Sequence, residues 1–158
     1  MSADKSAFVK LLHEIPILSE LEDAKLKSLL GDAVEVTFAR DEVIVRYGSL
    51  LADMYIILNG RVEVRRKSRV IATLGKGSFF GEMAFLNDKP TGRSSDIVAT
   101  RETSCLKIAG SVWYAFLRRN PDVAIEVIRV LADRLRNTSW TLSELQNLPA
   151  APPTVWNP

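Results

Sequence analysis

The residues best suited to chemistry lie between positions 77 and 99, Gly-Ser-Phe-Phe-Gly-Glu-Met-Ala-Phe-Leu-Asn-Asp-Lys-Pro-Thr-Gly-Arg-Ser-Ser-Asp-Ile-Val-Ala. Gly81 follows the aromatic pair Phe79 and Phe80, and a glycine lets the backbone turn tightly after two side chains that belong in a core. Residues 82–86 are long enough for one helical turn. The first amides of such a turn have no internal partner and point outward, which makes a small anion site. Beyond a loop with Pro90 and Gly92, Arg93 can reach back over that turn and offer a phosphate two parallel hydrogen bonds. Ser94 adds a hydroxyl at the same place. Glu82 is the odd member, because a carboxylate repels an anion. It fits if it accepts from a sugar hydroxyl one group further along the same ligand. A plainer alternative stays open, in which Arg93 is a surface residue paired with Glu82 or Asp88.

Composition removes several other chemistries. One cysteine, Cys105, excludes an internal disulfide framework and an all-cysteine metal or iron–sulfur site, and one histidine, His13, argues against a histidine-clustered metal centre or a His-based triad. No apolar run approaches the roughly 20 residues of a membrane span, and the start lacks the layout of a secretory signal. These features place the chain in the cytoplasm, with no metal, no cofactor and no catalytic site of its own. Basic residues number 21 and acidic residues 19, a net charge of +2 that gives no strong pull toward nucleic acid or anionic membrane. The basic run at 61–69 reads chiefly as a solvated edge strand protected by charge, with a partner surface as the alternative.

The elements that must position these residues follow from the hydrophobic period. Helical spacing at 5–14 is interrupted by Pro16, and Ser19-Glu-Leu-Glu22 reads as a capping box opening a helix to about Leu30. From Ala33 the period shortens, and strands are expected at 33–38, 42–47, 53–58, 61–66, 69–74, 95–100 and 103–108. Asn59-Gly60 between two apolar runs predicts a hairpin with a two-residue I′ turn. The short, evenly spaced strands suggest a sandwich or small barrel without βαβ units. Ser111 is the expected N-cap of a helix at 112–119. Pro121 opens a last, long helix to about 146 whose stripe (Val123, Val127, Val130, Leu131, Leu135, Leu142, Leu145) is wider than one small barrel can cover. Residues 148–158 have the proline content of a linker or tail.

Phe80-Gly-Glu-Met-Ala84, the loop with Pro90, Arg93-Ser94 and Ile97-Val98-Ala99 together resemble the phosphate-binding cassette of the cyclic-nucleotide-binding domain family. Tyr55-Ile-Ile-Leu-Asn-Gly-Arg-Val-Glu-Val64 is similar to that family's central hairpin. The resemblance covers about residues 8–147. It implies a mainly β fold: an eight-stranded jelly-roll barrel at 33–110, N-terminal helices at 1–32 and two closing helices at 111–147. It further implies that the amides of Gly81, Glu82, Met83 and Ala84, with Arg93, hold a cyclic phosphate. Glu82 would bind the ribose 2′-hydroxyl, Ser94 would contact phosphate or base, and Ile71 and Ala72 would wall the base. Phe80 and Ser95 flank this site. Ser95 departs from the small alanine usual there, and Leu50-Leu51 departs from a more polar pattern, as an apolar contact patch would.

Residues 121–139 align without a gap to the dimer helix of the catabolite activator protein, which belongs to this family. Thr138 and Ser139 then fall where hydroxyls touch the adenine amino group, unless they only decorate a solvent face. Trp140 could lie over the base as a lid. The implied activity is a signal-sensing module that binds cyclic AMP in preference to cyclic GMP and dimerises through its last helix. It would relay binding to an effector protein or a further domain. A complete transcription factor of the family would need a helix-turn-helix where the proline-rich tail stands, so no specific DNA binding is expected of this chain. A member that no longer binds nucleotide and serves in assembly is the other reading.

Overall fold

A computed structural model describes residues 2–84, 86 and 92–145. Four helices, α1 (Ser2–His13), α2 (Asp23–Gly31), α3 (Gly110–Arg119) and α4 (Pro121–Leu145), flank eight strands. The strands are β1 (Ala33–Phe38), β2 (Val43–Val45), β3 (Asp53–Asn59), β4 (Arg61–Arg66), β5 (Arg69–Gly75), β6 (Phe79–Phe80), β7 (Asp96–Ala99) and β8 (Thr103–Ala109). They form two antiparallel sheets, ordered β1-β8-β3-β6 and β2-β7-β4-β5, rather than one closed barrel. The fold is mainly β, as expected. β6 was not expected as a strand; its two residues pair with Tyr55 and Ile56.

Side-chain alternation builds three layers. Tyr55, Ile57, Phe80 and Cys105 of the first sheet meet Val45, Val62 and Ile97 of the second. The opposite face of the first sheet, with Met54, Ile56, Leu58, Phe79, Leu106 and Ile108, packs under Leu12, Leu18, Leu26, Trp113 and Val127 of the helical layer. Successive strand residues point to opposite faces, and residues 54–58 of β3 are all buried because both faces are covered. The adjacent Phe79 and Phe80 divide in the same way. Phe79 anchors to the helices and Phe80 stacks on Tyr55 at 5.0 Å between centroids.

Three local expectations are corrected. Asn59-Gly60 closes no hairpin, because β3 and β4 belong to different sheets. Gly60 (φ +108°) carries the chain across, and a Cβ there would lie 2.6 Å from the Cα of Thr103, so glycine is needed for close approach. The turn with two left-handed residues is at Lys67 and Ser68, φ +48° and +62°, between β4 and β5. The capping box does not form. Pro16 starts a 3-10 turn to Leu18, and the Ser19 hydroxyl donates to the Pro16 carbonyl at 3.0 Å, leaving Glu22 as the N-cap of α2 without a side-chain bond. Ser111 lies inside α3, whose N-cap is Ala109.

His13 joins α1 to α2. Its Nε2 is 2.9 Å from Asp23 Oδ1 and its Nδ1 is 3.0 Å from the Ser19 carbonyl. Both partners are acceptors, which favours the imidazolium, so the Asp23 bond first and the Ser19 carbonyl second raise the His13 pKa above 6.5. Hydrogen bonding to His13 lowers that of Asp23 below 3.8. The His13 contribution to stability is complete below 6.5 and is lost as pH rises through its folded value. The Asp23 contribution is complete above 3.8 and is lost as pH falls through its own. An NMR titration is expected to place His13 above its ordinary pKa and to return it toward 6.5 in Asp23→Asn. A native His13 titrating at or below 6.5 contradicts the pair.

Candidate ligand site

The cassette is built on the ends of β3, β6 and β7. Gly81 takes φ +93°, and a Cβ there would come within 2.6 Å of the Asp53 carbonyl and 2.7 Å of Arg93 Nη1. That absence of a side chain lets the Arg93 guanidinium lie against the backbone. Nη1 donates to the Gly81 carbonyl at 2.7 Å, and Nη2 donates to the Asp53 carbonyl at 2.6 Å. The Arg93 main chain is clamped as well, since its N–H donates to Ser49 O and its carbonyl accepts from Gly48 N–H. Leu50 and Leu51, on the same loop, are 72% and 71% exposed, as an apolar contact patch requires.

Arg93 is only 5% exposed, so the surface-pair alternative does not hold. Its Nε–H is buried with no acceptor, and a buried donor without a partner is costly unless a ligand completes it. Glu82, also 5% exposed, faces Arg134 of α4 at 3.6 Å instead. Burial pushes the Glu82 carboxyl up, while Arg134 and Arg93 pull it back down. Asp88 lies outside the described residues.

These groups line a cavity of about 380 Å³. Among the described residues its charged lining is Glu82, Arg93 and Arg134, a net +1 when Glu82 is ionised, which complements a monoanion. Its opposite wall is apolar, from Val45, Val64, Ile71, Leu74 and Ile97. Phe80, Gly81, Glu82, Met83, Arg93, Ser94, Ser95, Ile71, Ala72 and Thr138 all line it. Ala84 completes the 3-10 turn Glu82–Ala84, and the N–H of Leu86 donates to Glu82 O at 3.3 Å. Ser139 is not among the lining residues; its hydroxyl donates to Leu135 O at 3.0 Å. Trp140 is exposed and is likewise absent from the lining.

Arg134 was missed in the sequence. It donates to the Phe79 carbonyl at 2.6 Å and lies over the Phe79 ring at 4.6 Å, fixing α4 to the cassette. The signal was an arginine seven residues beyond Val127, on the helix face that Val123 and Val127 bury. Asn137 and Thr73, also lining residues, gave no such signal. Among the described residues, no helix is long and apolar enough to cross a membrane, and no cluster could hold a metal ion.

Two packed sheets capped by helices, with one cavity joining a glycine turn, a buried arginine and an apolar wall, define a domain suited to a small amphipathic anion. The family model described as "Cyclic nucleotide-binding domain" matches residues 35–120, and the chain belongs to that family. It is 31% identical over 128 residues to a cAMP-dependent protein kinase regulatory subunit of Blastocladiella emersonii, covering 77% of this chain and 31% of that protein. The chain therefore spans less than a third of that relative's length. Thermus thermophilus catabolite activator protein superposes with TM-score 0.69 and 28% identity, over 83% of this chain and 63% of that one. The regulatory subunit of a cAMP-independent protein kinase A from Trypanosoma brucei superposes with TM-score 0.72 and 27% identity, over 89% and 51%.

Proposed function

We propose that residues 1–147 form a sensor that binds cyclic AMP in preference to cyclic GMP and signals through α4. The observation that carries this reading is Arg93, a buried arginine with an unbonded Nε–H, in the lining of a cavity whose charged groups among the described residues sum to +1 when Glu82 is ionised. A cyclic phosphate bears one negative charge, which Arg93 and the amides of residues 81–84 would hold. Glu82 would accept from the ribose 2′-hydroxyl, with Ser94 and Ser95 beside the phosphate. Ile71 and Ala72 would wall the base, with Phe80 and Met83 at the turn. The strand order supports a jelly-roll description of the two sheets. The domain itself needs no catalytic group and reads no DNA sequence.

Base preference follows from Thr138. Its hydroxyl donates to the Arg134 carbonyl at 2.9 Å, so it offers a ligand only its lone pairs. Adenine presents an amino donor where guanine presents a carbonyl oxygen, and an acceptor suits the first and repels the second. Competition binding should favour cyclic AMP by about 1–2 kcal/mol, the net worth of a hydrogen bond or two, with most of the gap lost in Thr138→Ala. A gap that survives replacing both Thr138 and Ser139 by alanine assigns base reading elsewhere.

Relay through α4 is supported by Arg134, which ties the helix to Glu82 and Phe79. Self-association is supported by the outer face of the same helix. Ile125, Ile128, Ala132, Leu135, Ser139 and Leu142 repeat at heptad spacing, and all are exposed. Leu131 packs inward on the domain core, so Ile128 and Leu135 are the informative positions. A symmetric dimer is expected by light scattering, and Ile128→Glu/Leu135→Glu is expected to give monomers. A native chain that stays monomeric at high concentration contradicts the seam. Ser139 on this seam faces the partner helix, where it could reach the partner's ligand.

The cAMP-independent relative from Trypanosoma brucei keeps the second reading in play, a regulatory or assembly module without this ligand. Binding of neither cyclic nucleotide would favour it.

A further inference from the structure

The basic run noted in the sequence spans β4 and ends at the tip of the β4–β5 hairpin, where the cavity makes no use of Arg66, Lys67 and Arg69. Arg65 is neutralised by Glu63 at 2.6 Å. Arg66, Lys67 and Arg69 are exposed and form no ion pair among the described residues. Arg66 is directly opposite Arg69 in the ladder, a like-charge pair that weakens it. Lys67 and Ser68 both hold left-handed backbone, which is unfavourable for residues with a Cβ. Arg66 is further held over the Tyr47 ring at 5.4 Å. Three cations are thus concentrated at one tip, with like charges paired across the ladder and only the Tyr47 ring beside one of them.

β5, which leaves this tip, is the edge of its sheet and pairs with β4 alone. Residues 69–73 are all exposed, Val70 and Ile71 among them. An edge strand presents a row of unpaired N–H and C=O groups. We propose that this edge docks an acidic polypeptide segment, which adds to β5 as an extended strand with its carboxylates at Arg66, Lys67 and Arg69. Backbone pairing supplies affinity in this mode, while side chains at alternate positions supply selection. A membrane or a nucleic acid would use the charge but leave the backbone edge and the exposed Val70 unmatched. Ile71, Ala72, Thr73 and Leu74 of the same strand line the cavity, so a strand added outside stiffens the wall of the ligand site. Each occupant then strengthens the other by linkage. That coupling rests on the cyclic-nucleotide reading, whereas docking itself does not.

The test is fluorescence anisotropy with a labelled synthetic peptide repeating Glu-Thr-Glu-Val, titrated with the full chain. Parallel arms use its Lys-for-Glu counterpart, an acidic peptide with alternate backbone amides methylated, phosphatidylserine vesicles and duplex DNA. Saturable binding of the acidic peptide alone is expected. Affinity should fall about tenfold or more in Arg66→Glu/Lys67→Glu/Arg69→Glu and on amide methylation. If the triple variant loses its circular dichroism signature, Arg69→Gln and raised salt replace it, each expected to weaken binding severalfold. The proposal is overturned if no saturable binding occurs, which would make the cations a guard against edge aggregation. It is also overturned if charge reversal or methylation changes nothing, or if vesicles or DNA bind more tightly than the peptide. Calorimetry of the unaltered ligand site distinguishes these failures from failure of the cavity reading.

Discussion

Replacing Arg93 with alanine is expected to cost about 2–5 kcal/mol of cyclic-nucleotide affinity, roughly thirtyfold or more, because a charge-assisted contact from a buried guanidinium is lost. The side chain also holds the carbonyls of Gly81 and Asp53, so the free protein should lose about 1–3 kcal/mol of stability as those acceptors lose their donor. Arg93→Lys separates the two contributions. It keeps a cation but cannot bond both carbonyls and the phosphate together, so its affinity should fall nearer to alanine than to arginine. Calorimetric titration beside thermal melting gives both quantities. An Arg93→Ala protein that folds and binds as tightly as the native chain would remove the phosphate site from this cavity.

Gly81→Ala is expected to damage both the fold and the ligand site. The new Cβ would meet the Asp53 carbonyl at 2.6 Å and Arg93 Nη1 at 2.7 Å, from a backbone held at φ +93°. Left-handed strain alone is of order 1–3 kcal/mol, and relief requires the Arg93 guanidinium to move. Stability should drop by about that amount, with ligand affinity down about tenfold or more. Unchanged melting and unchanged affinity would mean that Gly81 is not the contact that seats Arg93.

Much of this site was legible because its parts are local in sequence. A glycine after two aromatics, a carboxylate at the start of a turn and an arginine one loop later are brought together by short-range geometry. What could not be read was set by long-range packing. Asn59-Gly60 has hairpin composition, yet Thr103, more than forty residues away, requires the close approach that sends β4 into the other sheet. The turn expected at Lys67 and Ser68, between the strands at 61–66 and 69–74, does form, and only its left-handed backbone was not signalled by those side chains. Ser19 had a capping sequence, but Pro16 offered its hydroxyl a nearer acceptor. Arg134 becomes a site residue only when α4 folds back on β6, and an arginine on an apolar helix face does not name its partner. Thr138 lies in the cavity lining, while the direction of its proton could be read only from its bond to Arg134 O.

The central claim, that this cavity takes a cyclic phosphate, is tested most directly by calorimetric titration of the native chain with cyclic AMP, with 5′-AMP as the comparison. The two arginines and one carboxylate that line the cavity among the described residues match the single charge of the cyclic phosphate, and the dianion of 5′-AMP exceeds it. Saturable binding of cyclic AMP at one site per chain, at least about tenfold tighter than 5′-AMP, is the predicted result. No heat of binding with cyclic AMP, or equal affinity for the two nucleotides, would contradict the account.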